Sequence, residues 1–131
     1  MKKRVLTGYR PTGKLHIGHY HGNLMNMLNL QEEYECFFFI ADWHALTTTY
    51  EDTSSLQSDI TDMILDWVAA GLDPQKCIIY KQSDIPEVAE LTIYLGMITP
   101  LSWLERCPTY KEQLQELKER AITTYGFLGY P

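Results

Sequence analysis

Cys36-Phe37-Phe38-Phe39-Ile40-Ala41 is the most apolar stretch of the chain, and Asp42 ends it. A run this short falls far below the ~20 residues that a membrane-spanning helix requires. An unbroken apolar run bounded by polar residues fits instead a strand covered on both faces, as the central strands of parallel sheets are. Upstream, Leu24, Met27, Leu28 and Leu30 recur near helical spacing and predict a helix from about Ile17 to about Tyr34. Before that helix, Arg4-Val5-Leu6-Thr7 is a β-prone run closed by Gly8, and Tyr9 to Lys14 holds the turn formers Pro11 and Gly13. Downstream, a polar loop leads to Ser54-x-x-Gln57, which has the pattern of a capping box. Leu56, Ile60, Ile64 and Trp67 then mark one helical face until Gly71 supplies the stop. Asp73-Pro74 predicts a turn, Cys77-Ile78-Ile79-Tyr80 a third strand, and Pro86 the first turn of a further helix.

The order β-α-β-α-β-α implies a parallel sheet with right-handed crossovers, so the expected fold is α/β, the first half of a Rossmann-like sheet. From Met97 the pattern changes. Pro100 and Pro108 bracket Leu101-Ser102-Trp103-Leu104-Glu105-Arg106, and Tyr110 to Arg120 is a polar helical stretch, read as a helical connecting insertion. The expected division is therefore 1–99 for the half sheet and 100–131 for the insertion and the approach to a next strand. With nothing to close it after Gly126-Phe127-Leu128-Gly129-Tyr130-Pro131, the sheet is expected to be cut short.

The 131 residues, 45% of them hydrophobic, suffice for one domain with a sizeable core. A net charge of −6, with Lys2-Lys3-Arg4 as the one basic cluster, excludes a broad surface for gripping nucleic acid. Cys36, Cys77 and Cys107 are odd in number and form no Cys-x-x-Cys pair, so buried reduced thiols are expected rather than disulfides or a cysteine zinc site. Neither a signal-peptide pattern nor a spanning segment is seen, and the expectation is a soluble cytoplasmic protein without a membrane partner.

His16 and His19 stand three residues apart at the start of the first helix, both imidazoles on one side of its first turn and next to unpaired backbone N–H groups. Such a terminus favours anions. The imidazoles can donate to phosphoryl oxygens, Gly18 has no side chain to keep a nucleotide away, and Pro11-Thr12-Gly13 supplies further backbone donors. Incidental capping is the plainest alternative. A metal cluster of His16, His19, His21 and His44 is another, opposed by the lack of an acidic residue at His-Glu-x-x-His spacing and by His21 lying on a different helical face from His19. No metal site is therefore assigned. His44 lies just past the carboxyl end of a buried strand, where open α/β sheets bind ligands.

With those residues in hand, Pro11-Thr12-Gly13-Lys14-Leu15-His16-Ile17-Gly18-His19-Tyr20 resembles the HIGH region of class I aminoacyl-tRNA synthetases. Three further blocks narrow the resemblance to the tryptophanyl-tRNA synthetase family. They are Ala41-Asp42-Trp43-His44-Ala45-Leu46-Thr47, then Met97-Ile98-Thr99-Pro100 through Arg106, then Pro108-Thr109-Tyr110-Lys111. The resemblance implies the HIGH-type nucleotidylyl transferase fold, with His16 and His19 as the catalytic pair. It implies ATP at Arg10, Pro11, Thr12, Gly13, Gly18 and His19, with Mg²⁺ held through the triphosphate. Leu6, Gly8, Ala41, His44 and Tyr130 are implied to line the tryptophan pocket. The complete protein would join tryptophan to tRNA(Trp) and form a homodimer.

Three departures accompany the match. The family's Lys-Met-Ser-Lys-Ser-like loop has no counterpart among the seven lysines, and the helix expected to carry an aspartate for the indole N–H is missing. Arg10 stands where glutamine is common. The chain is thus expected to bind nucleotide more readily than it catalyses. Two other readings stay open, a small His-x-Gly-His nucleotidyltransferase and a non-catalytic piece that associates with itself.

Overall fold

The computed structural model describes residues 2–108 together with 110, 111, 126 and 129. It divides into two compact units, Met1–Asp84 and Ile85–Pro131.

In the first unit, strand β1 (Arg4–Tyr9) leads through a loop into α1 (Ile17–His19), a π-helical turn (Tyr20–Leu24) and α2 (Met25–Glu33). Strand β2 (Glu35–Ile40), helices α3 (Asp42–Thr49) and α4 (Leu56–Ala69), strand β3 (Cys77–Lys81) and a 3₁₀ turn (Gln82–Asp84) complete it. The sheet has the order β1-β2-β3 and every pairing is parallel. The expected α/β alternation is therefore present, as a partial sheet of three strands.

Because successive side chains of a strand point to opposite faces, β2 sends Cys36, Phe38 and Ile40 to one side, where they are buried. Against them pack Leu24 and Met27 from the first helical run and Ile60, Met63 and Trp67 from α4, with Leu72 and Cys77 closing the cluster. Each large side chain buried here contributes about 1.5–3 kcal/mol relative to exposure. The turn after α4 is a Schellman motif: Leu72 N–H donates to Trp67 O, Gly71 N–H donates to Val68 O, and Gly71 sits at φ +114°. The buried Gln31 ties that turn down, donating to Gly71 O at 3.2 Å and accepting from Asp73 N–H at 2.9 Å.

The other face of the sheet departs from expectation. Leu6 is 66% exposed and Ile78 50% exposed, and Phe37 and Phe39 are only half-buried. The strand was expected to be covered on both faces, and among the described residues one face is covered. The strand order supplies the reason, since right-handed crossovers that always step in one direction lay their helices on the same side. Covering the second side requires a reversal of strand order, which β1-β2-β3 does not contain.

Two local readings also change. The polar loop expected after Asp42 is the eight-residue helix α3. Its threonines would ordinarily compete with helical structure, but Thr47 donates to His44 O, and Thr48 and Thr49 donate to Ala45 O, so each hydroxyl is satisfied on its own helix. The Ser54/Gln57 capping box is not formed. Ser55 precedes α4 and its hydroxyl donates to the Asp59 carboxylate, while Ser54 N–H donates to Asp52.

The second unit holds α5 (Glu87–Ile98), which begins after Pro86, and α6 (Leu101–Leu104), which begins after Pro100. Leu91, Ile93, Tyr94, Leu95, Met97 and Ile98 of α5 are all exposed. Of the polar stretch 110–120, positions 110 and 111 are described and helical. No helix of the described residues is long and apolar enough to cross a membrane.

Candidate functional site

The carboxyl ends of the three parallel strands lie side by side and each runs into a segment of chemical interest. Tyr9 leads to Arg10-Pro11-Thr12-Gly13, Ile40 to Ala41 and α3, and Lys81 to Gln82-Ser83-Asp84. This is the edge at which open parallel sheets bind ligands.

After β1, Thr12 N–H donates to Arg10 O, Pro11 is buried, and Gly13 adopts φ +116°, a backbone conformation open to glycine at no steric cost. The chain then enters α1 through a reciprocal cap built from two histidines. Gly18 N–H donates to His16 Nδ1 at 3.1 Å, and His16 N–H donates to His19 Nδ1 at 3.2 Å. The two rings lie 3.9 Å apart between centroids. A backbone N–H can only donate, so both Nδ1 atoms carry lone pairs and each neutral ring holds its proton on Nε2. The cap thereby prepares two Nε2–H donors on one side of the helix start.

The cap also alters the expected electrostatics. Backbone N–H groups at the helix start were expected to be unpaired, and those of His16 and Gly18 are taken up by imidazoles. Gly18 is required by the same cap, because a Cβ there would stand 2.9 Å from His16 Cε1. Tyr9 braces the arrangement. Its hydroxyl donates to His19 O at 3.3 Å and its ring meets the His19 ring edge-on at 5.9 Å, while its other neighbour is the buried Trp67. Burial pushes the Tyr9 phenol upward, and a hydrogen bond with Asn23 works against that rise.

Of the positions expected to line the amino-acid pocket, Leu6 and Gly8 lie on the open sheet face. Leu6 shares a row with Phe37 and Ile78, and Gly8 with Phe39 and Tyr80. The space beside Gly8 is already occupied by the Phe39 ring, since a Cβ there would stand 2.7 Å from Phe39 Cε1. Phe39 in turn packs on Tyr80 at 5.9 Å. Ala41 is buried, donates its N–H to Tyr9 O at 2.7 Å and starts α3. His44 sits in the first turn of α3, where its backbone N–H and ring Nδ1 both meet Gln82 Oε1. Tyr130 lies outside the described residues.

His21 is exposed and packs edge-on against Tyr20. Among the described residues no group of three or more His, Cys, Asp or Glu side chains is gathered as a metal ion would need. A cavity of about 220 Å³ lies between the Pro11-Thr12-Gly13 loop and Thr49, Asp52, Ser55 and Asp59. Asp52 is held below its usual range by hydrogen bonds from Ser54, so this wall carries negative charge and suits no phosphate.

A family model for "tRNA synthetases class I (W and Y)" matches residues 1–131. The chain belongs to this family. It is 58% identical to the tryptophan–tRNA ligase of Ralstonia nicotianae over 98% of its own length and 32% of that protein's. The tryptophanyl-tRNA synthetase of Mycoplasma pneumoniae superposes with a TM-score of 0.88 at 32% identity, covering all of this chain and 39% of that one. The Campylobacter jejuni synthetase, solved with ADP and tryptophan, superposes with a TM-score of 0.86 at 38% identity over 98% of this chain and 39% of that one. The chain therefore spans about a third to two-fifths of the length of these relatives.

For this member of the family, the sequence reading singled out the histidines and His44 but passed over Tyr9, Asp42 and Gln82. Tyr9 carried a signal, being an aromatic at the mouth of the strand that precedes the HIGH loop. Asp42 closes the apolar run and falls in the Ala41 to Thr47 block, but its burial and the acceptance by its Oδ1 of Trp43 N–H and Ser83 N–H come from the structure. Gln82 carried none.

Proposed function

We propose that this chain supplies the ATP-facing and part of the tryptophan-facing surface of a tryptophan–tRNA ligase. The supporting observation is the reciprocal His16–His19 cap, which fixes both imidazoles in the Nε2–H form at the carboxyl edge of a parallel sheet. Imidazole N–H donors beside a glycine suit phosphoryl oxygens. They act through charge stabilisation and positioning rather than as bases.

In the reaction of the complete protein, a tryptophan carboxylate oxygen attacks the α-phosphorus of ATP and pyrophosphate leaves. The aminoacyl group of the adenylate then passes to the 3′ end of tRNA(Trp), and AMP is released. ATP enters as its magnesium complex, the cation held through the triphosphate. His16 and His19 donate to phosphoryl oxygens, and Arg10, Pro11, Thr12, Gly13 and Gly18 frame the nucleotide. Leu6, Gly8, Ala41, His44 and Tyr130 surround the amino acid. Residues 100–131 form a connecting insertion that contributes to a homodimer, and the protein works in the cytoplasm.

Titration calorimetry of the chain with ATP and with tryptophan tests this reading. Measurable ATP binding is expected in the wild type, weakened at least tenfold in His16→Ala and His19→Ala, with little tryptophan-dependent exchange of ATP and pyrophosphate by this chain alone. ATP binding indifferent to both substitutions refutes the assignment of the histidines.

A second reading, self-association of the chain, is favoured by the exposed Leu6 and Ile78 on the open sheet face and by the apolar surface of α5. Light scattering across a concentration series tests it, and a mass of 15.2 kDa throughout refutes it.

A further inference from the structure

We propose that Cys36 and Cys77 form a two-coordinate site for a soft divalent cation of the mercuric kind, which staples β2 to β3 by replacing both thiol protons. Register brings the two cysteines together. They are direct partners across the parallel β2–β3 ladder, and such partners send their side chains to the same face. Both are free thiols, buried at 1% and 5% exposure in the core cluster that α4 covers. Cys36 is the second residue of β2 and Cys77 the first of β3, so the pair stands at the end of the sheet opposite the His16–His19 cap. The site is therefore separate from the one proposed for the nucleotide.

Magnitudes select the ligand. Neighbouring strands lie about 4.8 Å apart, which sets the spacing of the two Cβ atoms. A disulfide needs Cβ atoms about 3.8 Å apart, so closing one pulls the ladder inward by about 1 Å. A metal–thiolate bond is about 2.3 Å long, so two sulfurs on opposite sides of one ion lie about 4.6 Å apart, close to the spacing of the ladder. A tetrahedral ion lacks its remaining ligands, because among the described residues no three His, Cys, Asp or Glu side chains are gathered. Charge then selects the valence. Two thiolates around a divalent ion are neutral, whereas a monovalent ion leaves a negative charge in an apolar core, where it is costly. Burial pushes both thiols up, Cys77 to about 11 with Cys36 as its second cause. The pair is thus protonated at neutral pH, and only a soft ion with strong affinity for thiolate displaces both protons. Two S–H bonds break, two S–metal bonds form, two protons pass to solvent, and no electron is transferred. Cys77 Sγ, which donates to Asp73 O at 3.3 Å, gives up that hydrogen bond. Entry requires only local opening at the ends of two strands.

Cys107→Ser leaves the pair as the only thiols of the chain and tests the proposal. With mercuric chloride this variant is expected to bind one ion per chain. Its intact mass should rise by one mercury less two hydrogens, X-ray absorption should show two sulfur neighbours, and Tm should rise because the ion ties two strands of the folded chain. Adding Cys36→Ala or Cys77→Ala should leave one sulfur neighbour, one hydrogen lost and no rise in Tm. Two ions per chain, one ion shared by two chains, a single sulfur neighbour in Cys107→Ser or a lowered Tm each overturns the proposal. Zinc chloride should leave Tm unmoved, and a rise equal to that with mercury overturns the two-coordinate assignment. Should the alanine variants fail to fold, mass and X-ray absorption of Cys107→Ser decide.

Discussion

Replacing Gly8 by alanine should cost about 1–3 kcal/mol of stability, because the added methyl has nowhere to go. Gly8 pairs with Phe39 across the β1–β2 ladder. Its Cβ would stand 2.6 Å from Phe39 O, 2.7 Å from Phe39 Cε1 and 2.8 Å from Phe39 Cδ1. The ring can swing away, though only toward Tyr80, on which it already packs. The carbonyl cannot move without leaving the ladder, so the strain falls on the backbone. For a chain of 131 residues, unfolding entropy makes each kcal/mol worth roughly 4 °C, and the expected fall in Tm is therefore roughly 4–12 °C. Thermal melts followed by circular dichroism measure it. Gly22→Ala is the matched control, since nothing lies within 4 Å of its Cβ and the residue is in the π-helical turn. It should melt at or above the wild type, alanine being about 0.5–1 kcal/mol better than glycine in a helix. If Gly8→Ala melts with the wild type, the close approach of the two strands is not what the residue is for.

Gly71→Ala should lose about 1–2 kcal/mol for a different reason, because the nearest neighbour of its Cβ is an ordinary 3.7 Å from Leu28 and the cost lies in φ +114°. Urea titration should show a lower midpoint with an unchanged slope. The Cys77 thiol is pushed up to about 11, first by burial and then by Cys36 and Asp73. The folded chain therefore keeps a proton that the unfolded chain releases near the thiol's ordinary value of 9.0, and stability should fall as pH rises from about 9 toward about 11. Melting temperature against pH should show that decline, and Cys77→Val should flatten it. The exposed Arg4–Glu35 pair, 2.8 Å apart, should contribute little to stability because solvent screens it. Glu35→Gln should move Tm by a few degrees at most, and by less in high salt.

The strands and the first helix were legible because each leaves a periodic trace within a short window. Cys36 to Ile40 is apolar at every position, and His16 and His19 recur at a spacing that forces them together on any helix. The likeness of the Pro11 to Tyr20 block to a known motif was legible for the same reason, being local and contiguous. Helix α3 was not, since its threonines read as loop and its start depends on side chains from elsewhere. Neither was the true start of α4, where Ser55 rather than Ser54 precedes the helix and a carboxylate takes its hydroxyl.

The sequence by itself determined the kinds of element, their order, and the pairing of two histidines at a helix start, all of which depend on neighbours within a few residues. Tertiary structure alone decided which face of the sheet is covered, which follows from the direction in which strands are added. It alone brought Gln82 to His44 and Asp42 to Ser83, partners 38 and 41 residues apart. Hydrogen bonds over such separations leave no period in the sequence. The His16–His19 cap is local to one helix start, whereas the contact of Gln82 with His44 is a property of the folded sheet edge and not of any motif.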